Sequence, residues 1–154
     1  MESCTKISIM RAELLMGRVI STQNLSTERN RLMKAMVVAL REMGKQSSFT
    51  NGSRDLAAFL AAALETVAET VERSVAPWEK RGYWLKADRF RMDWDWVEPL
   101  ARKMKQAILE EDLAGIAQSA ATLGTKLKNV EVPQKHRLGT PWVGAWEKLK
   151  AFSK

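Results

Sequence analysis

The chain has 154 residues, enough for one domain with a sizeable core, and its 45% hydrophobic and 28% charged composition excludes a disordered chain. The formal charge of +7 predicts an anionic partner, nucleic acid before membrane. One cysteine and one histidine exclude an intrachain disulfide and leave almost no material for a His/Cys metal centre or a His-based triad. No metal or cofactor is therefore expected, and composition favours a binding or scaffolding protein over an enzyme.

In chain order, Ile7, Met10, Leu14 and Val19 fall near a 3.6-residue period and predict a first helix over 5–20. The start, Met1-Glu2-Ser3-Cys4-Thr5-Lys6, has no basic segment leading into an apolar core, so no secretory signal is expected. No window approaches the apolar length of a membrane span. The plain reading is a cytoplasmic protein with no membrane partner.

Ser26 or Thr27 is expected to cap a second helix, with Glu28 in its first turn and Leu32, Met36, Leu40 and Met43 as its apolar stripe. Gly44 is placed to end it. The polar stretch 45–53 contains Asn51-Gly52 and reads as a loop between helices, because no alternating strands flank it. Ser53 is expected to cap a third helix, with Asp55 in its first turn. Leu56, Leu60, Leu64, Val67 and Val71 carry its apolar face, its alanines permit close packing, and Pro77 is expected to close it.

Residues 78–91 have no clear period. A fourth helix is predicted from Asp93 or Asp95 to Leu109; Asp95 as cap leaves Pro99 in the first turn, where a missing N–H costs little. Asp112 is expected to begin a fifth helix that Gly124 ends. Residues 125–139 read as loop, with strand-like alternation conceivable only around 129–132. Thr140-Pro141 is expected to open a short last helix with Trp142, Trp146 and Leu149 on one face. The sum is an all-α, single-domain bundle of five to six helices over 1–154, with a basic loop and short terminal helix over 124–154.

The charge is uneven. Residues 1–77 carry ten basic and eight acidic side chains, net +2, whereas 78–154 carry fifteen and ten, net +5. The tail 124–154 alone is +5, from seven basic residues against Glu131 and Glu147. On helix two, Lys34, Arg41 and Lys45 repeat at spacings of seven and four, with Arg31 close to the same face. Such arrays suit a phosphate backbone, because each contact releases condensed counterions. They equally suit a solvated helix face.

In the irregular segment, Lys80, Arg81, Lys86, Arg89 and Arg91 interleave with Trp78, Tyr83, Trp84 and Phe90. Aromatic faces stack unpaired bases while the cations hold phosphates. Trp78, Trp84, Trp94, Trp96, Trp142 and Trp146 suit core anchoring as well, since each buries a large area, and Trp with Arg is favoured at protein interfaces.

Catalytic constellations are weak. Asp93-x-Asp95 and Glu110-Glu111-Asp112 lie where helix starts favour acids. His136 sits between Lys135 and Arg137 with no carboxylate beside it to orient it as a base. Cys4 has no CxxC partner, and Gly139-Thr140-Pro141 lacks phosphate-loop spacing. No catalytic residue is assigned.

A small, basic, all-helical chain with stripes of cations and no catalytic set resembles the small subunits of CRISPR effector complexes of the Cascade type. Thr50-Asn51-Gly52-Ser53-Arg54-Asp55-Leu56-Ala57-Ala58-Phe59-Leu60 is similar to a turn-then-helix in one branch of these subunits, and Lys86-Ala87-Asp88-Arg89-Phe90-Arg91-Met92 adds to the likeness. The resemblance implies a role in antiviral defence. Several copies would line a ribonucleoprotein beside its other subunits. Their cations would track the crRNA–target duplex or the single-stranded DNA backbone of the displaced strand, without reading bases.

The leading expectation is thus a non-enzymatic nucleic-acid-binding subunit. Its candidate contacts are Arg31, Lys34, Arg41 and Lys45, then Lys80, Arg81, Lys86, Arg89 and Arg91, then Lys126, Lys128, Lys135 and Arg137. The alternative is a helical protein-interaction adaptor whose Trp- and Met-rich surface, including Met33, Met36, Met43, Met92 and Met104, forms an adaptable groove.

Overall fold

The computed structural model describes residues 25–153. The helix predicted over 5–20 lies outside them. Six helices and no strand occur among the described residues: α1 (Leu25–Gly44), α2 (Asn51–Lys80), α3 (Trp84–Asp93), α4 (Val97–Leu109), α5 (Leu113–Lys126) and α6 (Ala145–Ser153). The expected all-α bundle is what forms.

The bundle is organised by α2, whose 30 residues span about 45 Å at the helical rise. Helices α1, α3, α4 and α6 all pack on it, and α5 packs on α4. The sequence of α2 explains that position. Leu56, Ala57, Ala58, Phe59, Leu60 and Ala61 are consecutive and all buried, so this part of the helix is enclosed on every side rather than along one stripe. Its alanines keep the neighbouring helices close. Burying Phe59, Leu60 and Leu64 contributes about 1.5–3 kcal/mol each. Against them lie Leu32 and Met36 of α1, Met104 and Ile108 of α4, and Leu149 of α6.

The helix ends correct several sequence expectations. Helix α1 already includes Leu25, so Ser26 and Thr27 sit within its first turn. Thr50, not Ser53, caps α2. Thr50 Oγ1 accepts from the Ser53 N–H at 3.4 Å, and Ser53 Oγ accepts from the Thr50 N–H at 3.2 Å. This reciprocal capping box pulls Asn51-Gly52 into the helix instead of leaving it as a loop. Pro77 does not close α2, which runs on to Lys80. So near the C-terminal end, the proline removes one hydrogen bond without stopping the helix.

Asp55 leaves its own helix end and caps another. Its carboxylate accepts from the Gly144 N–H at 3.2 Å and the Trp146 N–H at 2.9 Å, at the start of α6. Helix α6 therefore begins at Ala145, and Thr140-Pro141 belongs to the turn before it. Trp96, not Asp95, flanks the start of α4, while Pro99 falls in the first turn as expected. Asp112 caps α5 as expected, accepting from the Gly115 N–H at 3.1 Å. Gly124 does not end α5, which continues through Lys126. Residues 129–132 form no strand.

Candidate nucleic-acid interface

The segment without a clear period, 78–91, contains the end of α2, a turn and most of α3. The turn follows from Gly82. Its φ of +81° suits a residue without a Cβ, and it occupies the first position beyond the helix cap Arg81. The Gly82 N–H donates to Glu79 O at 3.0 Å and the Tyr83 N–H to Trp78 O at 2.9 Å, the two bonds of a Schellman ending. The chain reverses there, and α3 folds back along α2.

Arg91 fastens that return. Its guanidinium donates to both oxygens of Glu72 at 3.1 Å and also to Glu79, tying α3 to α2. Its bonds to Glu72 and then Glu79 hold the Arg91 pKa above its ordinary value. Beneath α3 the aromatic rings pack on one another. Trp78 meets Phe90 edge-on at 5.3 Å between centroids, Phe90 meets Trp94 at 6.3 Å, and Trp94 stacks on Trp96 at 6.4 Å. Arg29 of α1 is only 6% exposed and lies over Phe90 at 5.0 Å and Trp94 at 5.3 Å. It also donates to Thr70 Oγ1 and Ser74 Oγ, both at 3.3 Å. Its burial pulls the Arg29 pKa below the ordinary value, since desolvation disfavours the cation. Trp142 packs edge-on against Phe59 at 6.5 Å, so four of the six tryptophans have ring partners among the described residues. Trp146, half-buried, packs against the hydrophobic core.

Tyr83 and Trp84 differ. They are 55% and 60% exposed, and Leu85 beside them is 65% exposed. Together with Gly82, Lys86 and Arg89 they line one surface hollow at the α2–α3 turn. Lys80 and Arg81 precede it and are exposed. Lys86 Nζ lies 4.3 Å from the Trp78 ring centroid, which keeps its charge at the surface. The tip therefore presents four cations and two open aromatic faces, and none of the four cations pairs with a carboxylate among the described residues.

A second cationic region joins α1 to the tail. Thr27, Asn30, Arg31 and Lys34 follow the i, i+3, i+4, i+7 spacing and form one stripe. The tail brings Arg137 and Leu138 against that stripe, and the six residues line a hollow. Arg41, one turn-pair further along α1, positions the tail: its guanidinium donates to the carbonyls of Val132 and Pro133. His136 Nδ1 accepts from the Leu138 N–H at 3.3 Å, which shapes the loop between them.

The thirteen candidate cations therefore separate into groups. Lys80, Arg81, Lys86 and Arg89 share the tip, and Arg31, Lys34 and Arg137 share the hollow on α1. Arg41 and Arg91 are half-buried and already engaged by partners within the chain, the Val132 carbonyl for Arg41 and Glu72 and Glu79 for Arg91. Lys45 pairs with Glu42 at 3.0 Å, and Lys126 lies over Trp96 at 5.8 Å. Lys128 and Lys135 are exposed and belong to neither hollow. Thr27 and Asn30 are absent from the cations read from the sequence, although the helical stripe they share with Arg31 and Lys34 was available to find them.

Met33, Met36 and Met104 are buried in the core, which removes them from any surface groove, while Met92 is exposed. Met43 lines a separate hollow with Phe49, Leu113 and Ile116. Among the described residues no group of His, Cys, Asp and Glu side chains could hold a metal ion, and no helix is long and apolar enough to cross a membrane. The chain matches no protein-family model, no curated protein and no solved structure.

Proposed function

We propose that this chain is a non-enzymatic helical subunit that binds nucleic acid through its backbone, without reading bases. The observation that carries this reading is the α2–α3 tip, where Lys80, Arg81, Lys86 and Arg89 stand without a carboxylate partner among the described residues, beside the exposed rings of Tyr83 and Trp84. A phosphate backbone fits four such cations, since each contact displaces a condensed counterion. The open rings add a sequence-tolerant stacking surface. The narrower setting implied by the resemblance is a small subunit of a Cascade-type CRISPR effector, in which the tip follows the target or displaced strand and other faces meet neighbouring subunits.

The direct test replaces Lys86 and Arg89 together by Gln and measures binding to labelled oligonucleotides of several sequences across a salt series. The expected result is equal weakening on every sequence, with the log–log salt slope reduced by about one per residue. Weakening confined to one sequence contradicts backbone binding.

A second reading, a protein-interaction adaptor, is favoured by exposed apolar side chains on α3. Leu85 beside the tip and Met92 near the other end of the helix are 65% and 70% exposed. An interface of that kind is apolar at its centre and responds little to salt, which separates the two readings in one titration.

A further inference from the structure

The hollow between α1 and the tail has a feature that the tip lacks. Arg31 is half-buried, and its Nη1 is buried with no hydrogen-bond partner among the described residues. A guanidinium stays charged at any ordinary pH and carries five N–H donors. A buried charged donor left unmet is costly, so the group stands with unused donor capacity. Its neighbours add to the imbalance. Lys34 and Arg137 line the same hollow, and no acid does among the described residues. Thr27 and Asn30 supply a hydroxyl and an amide on the same helix stripe.

This convergence is built by the fold. Arg137 lies more than a hundred residues from Arg31 in the chain. It reaches the hollow because Arg41 holds the Val132 and Pro133 carbonyls and because Leu138 packs beside it at the hollow. Three like charges lining one hollow, with no carboxylate among its described lining residues, raise the local positive potential, which the binding of an anion relieves.

We propose that Arg31, Lys34 and Arg137, with Thr27 and Asn30, form a phosphate subsite. A tetrahedral oxyanion has enough acceptor oxygens to meet two guanidinium forks, an ammonium and the two neutral donors together. The inference deepens the backbone-binding reading by naming one phosphate position, and it holds for a phosphate at a strand end, within a strand or free in solution.

One experiment separates these sources and separates this inference from the reading it rests on. Thermal unfolding of the full chain is followed in phosphate and in chloride at equal ionic strength, for the wild type, Lys34→Gln and Arg137→Gln. Both replaced side chains are exposed, so neither variant disturbs the core. Salt-series titrations with 5′-hydroxyl and 5′-phosphorylated oligonucleotides follow for the same proteins and for the double variant. The subsite predicts a higher melting temperature in phosphate for the wild type, with the increase reduced in both variants. It also predicts that each single substitution lowers the salt slope by about one while the double lowers it by little more, because both residues serve one phosphate. A stronger hold on the 5′-phosphorylated strand assigns the subsite to a strand end, and equal binding assigns it to a phosphate within the strand. Oligonucleotide binding with an unchanged slope in the variants, together with no phosphate-dependent rise in melting temperature, overturns the subsite and leaves the backbone reading standing. The same slope with a phosphate-dependent rise assigns the subsite to free phosphate. Phosphate stabilisation without oligonucleotide binding upholds the subsite and overturns that reading.

Discussion

At the scale of single residues, neighbouring side chains of one type take opposite roles. Trp78 and Trp84 are six apart, yet Trp78 packs on Phe90 while Trp84 is 60% exposed. The turn at Gly82 separates them, because Trp78 precedes the chain reversal and faces α3, whereas Trp84 follows it at the rim. Gly82 is thus the residue on which the tip depends. No atom lies within 4 Å of a Cβ placed there, so Gly82→Ala is opposed only by the left-handed backbone. The expected cost is about 1–2 kcal/mol, read as a lowered denaturation midpoint in urea. An unchanged midpoint contradicts the Schellman assignment. Arg41 and Arg91 illustrate what the sequence could not show. Each falls in a cationic pattern, but the carbonyls that hold Arg41 lie some ninety residues away, and the acids that hold Arg91 sit on a different helix. Charge spacing along one helix contains no information about either partner.

At the scale of elements, the apolar periods were legible and the ends were less so. Val97, Leu100, Ala101, Met104, Ala107 and Ile108 are all buried, as their spacing requires for α4. The cap of α2 falls three residues earlier than the expected Ser53, because the capping box uses Thr50 and Ser53 together. The start of α6 was beyond local reading, since its cap is Asp55 on α2. That arrangement makes Asp55→Ala act at a distance. It is expected to destabilise the protein by about 1 kcal/mol and to raise amide exchange at Gly144 and Trp146 first. Exchange rising at the start of α2 instead contradicts the assignment. Arg41→Gln is the corresponding test for the tail. Losing its bonds to Val132 and Pro133 is expected to speed trypsin cleavage at Lys135 and Arg137 while the helical circular-dichroism signal stays constant. Equal cleavage rates in the two proteins contradict its role as the tail's anchor.

At the scale of the whole molecule, one long helix carries the fold and two cationic regions occupy its surroundings. Leu60 and Leu64 lie where that helix is enclosed, so Leu60→Ala is expected to cost about 2–5 kcal/mol of unfolding free energy without touching either cationic region. The all-α class and the basic balance were readable from composition and period, because both are sums over many residues. The division of thirteen cations into a tip, a hollow and internally engaged groups was not, because it depends on the turn at Gly82 and on where the tail returns. Salt behaviour is the test at this scale, since four cations at one tip and three in one hollow imply several phosphate contacts at once. The most direct measurement is fluorescence anisotropy of the purified chain with labelled single-stranded DNA, RNA and duplex at two salt concentrations. Backbone contact through these cations predicts binding that is indifferent to sequence and falls steeply as salt rises. Absence of binding at low salt, or binding that salt leaves unchanged, contradicts it.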